Sequence, residues 1–181
     1  MRLSRLGIMA LLLLLPGLSM AGQASVEQKI KAAYLYNFTK FIAWPGDDSE
    51  TFNLCLLGED AVARLLAPLE KKTAMGLPIH LQHLQRPEQA GSCHILYLAA
   101  ADGAWNTDNL ALQGVLTISS GSSALTVSGE EGFARQGGMI GFVVRKGKVR
   151  LQINLQALKN SGLKVSAKLL EVAEIIDGAE Q

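Results

Sequence analysis

The chain has 181 residues, 49% of them hydrophobic and 18% charged, with a formal net charge of +1. That supply of apolar side chains is ample for a packed interior and excludes disorder over most of the length. A near-neutral balance spread along the sequence excludes a general nucleic-acid-binding or anionic-lipid surface.

At the N-terminus, Arg2 and Arg5 precede an uninterrupted apolar run from Ile8 to Leu15. Pro16 and Gly17 break the run, and Ser19-Met20-Ala21 offers small residues where a signal peptidase reads. Residues 1–21 therefore read as a cleaved export signal, because the run is far shorter than the roughly 20 apolar residues of a membrane span. Cleavage after Ala21 leaves residues 22–181, a normal size for one domain. Removing Arg2 and Arg5 from the 17 basic side chains leaves 15 against 16 acidic ones. Export gives meaning to the two cysteines, Cys55 and Cys93. An even pair in an oxidising compartment points to one disulfide, the alternative being two buried thiols.

The mature sequence opens with apolar positions Val26, Ile30, Ala33, Tyr34, Phe38, Phe41 and Ile42 at spacings of three and four, which predicts a helix with these residues on its buried side. Within Lys31–Pro45 stand five of the chain's ten aromatic residues, Tyr34, Tyr36, Phe38, Phe41 and Trp44. Trp44 precedes Pro45 and is biased to extended backbone, so the helix should stop just before it. Strands are predicted at Phe52–Leu57, at about Ile79–Leu84, at Cys93–Ala99 and at Val115–Ser119, with helices at about Asp60–Leu69 and Trp105–Leu112 between them. The segment from Ser120 to Gly138 is rich in glycine and serine and reads as loop, with Leu125 and Val127 its main apolar anchors. Met139–Val144 and Lys148–Asn154 flank Arg145-Lys146-Gly147 in the pattern of a hairpin. Asn154 can cap a short helix over Leu155–Asn160, and Gly162 suits its left-handed stop. A last amphipathic helix is predicted over Leu163–Ile176, with Val165, Leu169, Val172, Ala173 and Ile176 inward. Strand and helix alternating early and a hairpin late imply a layered α/β domain, a mixed sheet flanked by helices with a C-terminal β-hairpin and helical pair.

Known chemistry does not fit these spacings. The serine-rich stretch Ser119–Ser123 has no nucleophile elbow around it. Gly141–Lys148 has five residues, not four, between its glycines and lies in a predicted hairpin, so it is no phosphate loop. The first strand ends at Leu57-Gly58-Glu59-Asp60 with one glycine, too few for a dinucleotide fingerprint. His80 and His83 on one strand point to opposite faces, His94 faces away from Cys93, and a disulfide would consume both thiolates, so neither a metal nor another cofactor is expected. Glu59-Asp60 and Glu130-Glu131 read as solvated loop charges.

The stretch KAAYLYNFTKFIAWP, the strand FNLCLLG, the tail GGMIGFVVRKGKVRLQINLQALKNSGLKVSAKLL and the Cys55/Cys93 pair together resemble the YfiR family of periplasmic proteins. The likeness runs from about Lys31 to Leu170, and Gly138, Lys148, Arg150, Asn154, Gly162, Leu163 and Leu169 stand where the family pattern expects them. The resemblance implies a periplasmic negative regulator without catalysis. Such a protein binds the periplasmic region of a YfiN-like inner-membrane diguanylate cyclase, keeps cyclic-di-GMP low, and is itself sequestered by a YfiB-like outer-membrane lipoprotein. Some relatives carry a second disulfide near the segment that here reads GFARQGGMIG, where this chain has no cysteine. Tyr36, Leu163 and Lys164 are the candidate contact residues, drawn from the first helix and from the turn within the helical pair. A homodimer is compatible with the sequence. The competing reading is a periplasmic small-molecule sensor domain that uses the loop edge of the sheet as a pocket and has no dedicated cyclase partner. An exported enzyme of unrecognised type is the third.

Overall fold

A computed structural model describes residues 24–99, 110–120 and 122–176. The predicted export signal and the start of the Trp105–Leu112 helix lie outside the described residues. Helix α1 runs Val26–Phe41 and begins at Ser25, whose hydroxyl accepts the Gln28 amide while the Gln28 side chain accepts the Ser25 amide. This reciprocal pair satisfies two of the amides that every helix start leaves open. The helix gives way at Ile42 to extended backbone, as the Trp44-Pro45 sequence requires.

The remaining elements are β1 (Ile42–Ala43), β2 (Phe52–Leu57), α2 (Ala61–Arg64), β3 (Thr73–Ala74), β4 (Leu77–Leu84), β5 (Ile95–Leu98), α3 (Leu110–Ser120), β6 (Leu125–Ser128), β7 (Ile140–Arg145), β8 (Lys148–Asn154), α4 (Leu155–Asn160), β9 (Lys164–Val165), α5 (Ala167–Leu170) and β10 (Ala173–Ile176). Short 3-10 turns cover Ala67–Lys71 and Pro87–Ser92. Eight strands form one mixed sheet in the order β10-β8-β7-β6-β5-β2-β4-β3. Its centre, from β4 through β2, β5 and β6 to β7, is parallel, and β7 and β8 form an antiparallel hairpin across Lys146-Gly147. Both turn residues have positive φ, 51° and 70°, as a two-residue hairpin turn demands.

The sheet is covered on both faces, which makes its middle strands apolar on both sides. On one face Leu35, Phe38 and Ile42 of the first helix and its exit pack with Phe52, Leu54, Phe142 and Leu151. On the other, Leu112 and Val115 of α3 pack with Leu57, Leu96, Leu98 and Phe133. Strand β5 lies between the two layers, and all four of its residues are buried. A separate two-stranded pairing, Ile42 with Val165 and Ala43 with Lys164, ties the exit of α1 to the C-terminal segment.

Three elements differ from the sequence-based expectation. The strand predicted at Val115–Ser119 is part of α3, and the fourth parallel strand is β6, inside the segment read as loop. A short apolar run fits either structure, and only the packing partner decides. The helix predicted over Asp60–Leu69 is interrupted: α2 stops at Arg64, and Pro68 opens the 3-10 turn that follows. The helical pair consists of α4 and the short α5, and the single helix predicted over Leu163–Ile176 is instead β9, α5 and β10. Ala173–Ile176 pairs in parallel with Leu151–Asn154, and that ladder overrides the helical spacing of the side chains. Val172, expected inward, is exposed.

Candidate partner-binding surface

The first helix is apolar on two sides. Leu35, Phe38 and Thr39 face the sheet and are buried; the Phe38 ring stacks on Phe142 with centroids 6.2 Å apart, and the Tyr34 ring lies tilted against it at 6.0 Å. Val26, Ile30 and Ala33, expected on that same buried side, recur at i, i+4 and i+7 and lie on the outward side. Val26 is 73% exposed and Ile30 39%. An apolar stripe left in water at the start of a helix is a surface that gains by being covered.

Tyr36 is half-buried at the flank of α1. The Lys40 and Lys72 ammonium groups lie 4.8 and 5.2 Å from its ring centroid, and its hydroxyl donates to the Thr73 carbonyl at 3.4 Å. Two cations thus lie against the ring, and its hydroxyl is tied to β3. Leu163 is only 6% exposed and belongs to the core. Lys164 is exposed on β9, where its backbone faces Ala43. Of the residues singled out for contact, Tyr36 is therefore half-buried and Lys164 exposed, and Leu163 is part of the core.

Cys55 and Cys93 are joined in a disulfide with a Cα–Cα distance of 5.8 Å. Cys55 lies inside β2 and Cys93 ends the turn before β5, so the bond closes the whole β2–β4–β5 connection. Next to it, Trp44, Asp47 and His94 line a cavity of about 320 Å³ at the amino ends of β2 and β5. The arrangement of Asp47, His94 and nearby serines invites comparison with a nucleophilic triad, but the hydrogen bonds run elsewhere. The Asn53 amide donates to His94 Nδ1 at 3.0 Å, and His94 Nε2 donates to Asp47 Oδ2 at 2.9 Å. Both ring nitrogens are engaged, and neither remains to take a proton from a hydroxyl. The ring itself is clamped by Phe52, stacked at 4.5 Å, and its carbonyl accepts the Trp44 indole N–H at 3.0 Å. This cluster reads as structural fastening of the loop before β2.

Asp47 has its carboxyl pKa lowered below the ordinary value, chiefly by the hydrogen bond from the Ser49 hydroxyl and then by that from His94, against an opposing cost of burial. At the carboxyl ends of the same strands, Tyr97 donates to Asp60 Oδ2 at 2.7 Å. Burial, then the charge of Asp60 and its hydrogen bond, push the phenol far above its ordinary range, so it stays protonated. Asp60 is committed in turn as the cap of α2, accepting the Ala63 amide at 2.7 Å. Among the described residues, no group of three or more His, Cys, Asp or Glu side chains is placed to hold a metal ion. No helix among them is long and apolar enough to cross a membrane.

A second concavity, about 430 Å³, lies where Glu27 and Lys31 of α1 face Val144 and Arg145 of β7 across from Gly132 and Arg135. Sequence reading missed it, because its walls come from three segments far apart in the chain. The only local sign was the cluster of cations around Gly147.

Comparison with known proteins places these observations in a family context. The profile of the YfiR/HmsC-like family matches residues 28–174. Eight chains among solved structures match. One is a conserved domain protein from Vibrio cholerae O1 biovar El Tor, with a TM-score of 0.51 and 11% identity over 84% of this chain. That likeness is one of fold, and this chain spans 60% of that protein's length. No curated protein matches.

Proposed function

The chain belongs to the YfiR/HmsC-like family, whose profile spans residues 28–174, and from that premise we propose that it is a periplasmic regulator that binds an inner-membrane diguanylate cyclase and holds it inactive. Residues 1–21 direct export and are removed, and residues 22–181 form the regulatory domain. Binding lowers cyclic-di-GMP because the regulator favours one conformation of the cyclase; equal affinity for both would shift nothing. A YfiB-like outer-membrane lipoprotein relieves the inhibition by sequestering the regulator.

The observation that supports a docking role is the outward stripe Val26–Ile30–Ala33. Among the described residues it is left largely exposed, and it occupies the first helix, shortly after the export signal in the sequence. Tyr36, on the flank of the same helix, and Lys164, which lies opposite Ala43 beyond the helix's other end, are further candidate contacts.

The test is retention of the cyclase from detergent-solubilised inner membranes by tagged protein under oxidising conditions. Val26→Asp with Ile30→Asp should abolish retention. The melting temperature should change little, since exposed substitutions usually cost within about 0.5 kcal/mol. Wild-type protein that retains no diguanylate cyclase would sink the proposal, and a double variant that still retains it would move the contact elsewhere. Leu163→Ala is unsuitable as a probe, because it truncates a core side chain.

A further inference from the structure

Strand β7 is longer than its neighbour on one side. It pairs with β8 along its full length, from Ile140 to Arg145, but with β6 only at Ile140 and Gly141, opposite Val127 and Ser128. In an antiparallel ladder closed by a two-residue turn, Arg145 and Lys148 form a hydrogen-bonded pair, and such pairs alternate with pairs whose amides and carbonyls point away. The Asn154 amide donating to the Met139 carbonyl at 2.9 Å fits that alternation. Val144, opposite Val149, therefore turns its N–H and C=O away from β8, toward the side where β6 has already ended. That side is the groove of about 430 Å³ between the start of α1 and the Gly129–Arg135 turn. The Val144 side chain is 45% exposed there.

The hairpin tip beside the groove is basic, while Glu27 and Glu131 also line the groove itself. Arg145, Lys146, Lys148 and Arg150 crowd into six residues at the hairpin tip, in a chain whose mature charge is close to neutral. All four are exposed, and among the described residues no ion pair engages any of them. Lys31 and Arg135 stand on the two walls of the groove, paired internally with Glu27 and Glu174.

We propose that the edge of β7 facing away from β8 at Phe142–Arg145, unpaired with any strand among the described residues beyond Gly141, takes an extended, acidic segment of a partner protein as an added strand, with the basic hairpin tip drawing it in. Main-chain bonds to Val144 supply register, the half-exposed valine supplies an apolar contact, and the uncompensated cations select for acidic side chains. The site is separate from the outward stripe of α1 and does not depend on the identity of the membrane partner.

The test uses purified protein, nitrogen-15 labelled, titrated with the capped peptide EVTVEV and, in parallel, with the basic peptide KVTVKV and with phosphatidylglycerol vesicles. Saturating EVTVEV should shift resonances at 142–145 and slow hydrogen exchange of the Val144 amide by about tenfold or more, while KVTVKV does neither. Arg145→Glu with Lys148→Glu should weaken EVTVEV by at least about tenfold. Val144→Pro, which keeps every charge but removes the outward N–H, should weaken it as well. If Val144→Pro unfolds the protein, exchange at Val144 in the wild type decides alone. EVTVEV bound with unchanged Val144 exchange would overturn the proposal, leaving plain charge attraction. So would binding to vesicles but not to the peptide, or no binding at all, which would leave the cations as guards of an exposed strand edge.

Discussion

Replacing Gly138 by alanine should destabilise the protein through a single contact. An alanine Cβ at this position would lie 2.2, 2.4 and 2.5 Å from three atoms of the Phe133 ring. Ordinary carbon–carbon contact begins near 3.5 Å, so the ring would have to retreat by about 1.3 Å. It has little room, being 1% exposed in the layer that also holds Leu96, Leu98 and Val115. Its backbone is pinned too, since the Phe133 carbonyl accepts the amides of Gln136 and Gly138 at 3.2 and 3.0 Å. The backbone of Gly138 is not in the left-handed region, so the cost is steric crowding and not a forbidden φ. Overpacking of this kind costs roughly 1–3 kcal/mol. We expect about 2–3 kcal/mol, and a melting temperature lower by about 4–12 °C for a chain of this size. Urea unfolding followed by tryptophan fluorescence measures it. Phe133→Leu in the same chain should relieve the crowding, so that the double variant is more stable than the sum of the singles by at least about 1 kcal/mol. A Gly138→Ala protein within about 0.5 kcal/mol of wild type, or strictly additive effects, would refute the argument.

Two further outcomes follow from the described contacts. Reducing the Cys55–Cys93 bond opens a connection of 38 residues, which on the chain-entropy account should cost about 4 kcal/mol. Unfolding in urea with and without reductant should show that loss, and a difference below about 1 kcal/mol would mean the unfolded chain is already restricted there. Asp47 has a folded pKa below the ordinary 3.8, so its contribution is present above that value and lost as pH falls through the lowered one. The advantage of wild type over Asp47→Asn in melting temperature should accordingly be larger near pH 6 than below about pH 3, and an advantage that does not shrink would contradict the assignment.

Local rules made much of this fold legible. The hairpin, the Asn154 cap and the Gly162 stop each rest on residues whose conformational reasons lie within four positions of them, and the structure keeps all three. Strand β2 was readable because FNLCLL is bounded by turn residues and buried on both faces. Helix and strand were confused where an apolar run is short and the decision belongs to a distant neighbour. Ala173–Ile176 becomes a strand because β8 offers a free ladder, and the run around Val115 becomes helix because it lies over the sheet instead of within it. The candidate surface was less legible than the fold. Helical spacing grouped Val26 and Ile30 with Phe38, but the start of α1 turns them outward. Nothing in the sequence between Ser128 and Ile140 tells that β6 ends before β7 does.

The packing of Tyr34 and Phe38 against Phe142 joins the first described helix to a strand about a hundred residues later. Contacts so far apart in sequence are slow to form, because loop-closure entropy must be overcome before they contribute anything. The first helix therefore completes its packing only when the β7–β8 hairpin is present, with Tyr34 and Phe38 only partly covered in the interval. A chain stopped short of Phe142 keeps α1 and its neighbours Phe52 and Leu54 but loses the ring that Tyr34 and Phe38 lie against. Such fragments should aggregate and should not fold into smaller units, and the early segment in need of protection during folding is the one whose last partners come from the far end of the chain.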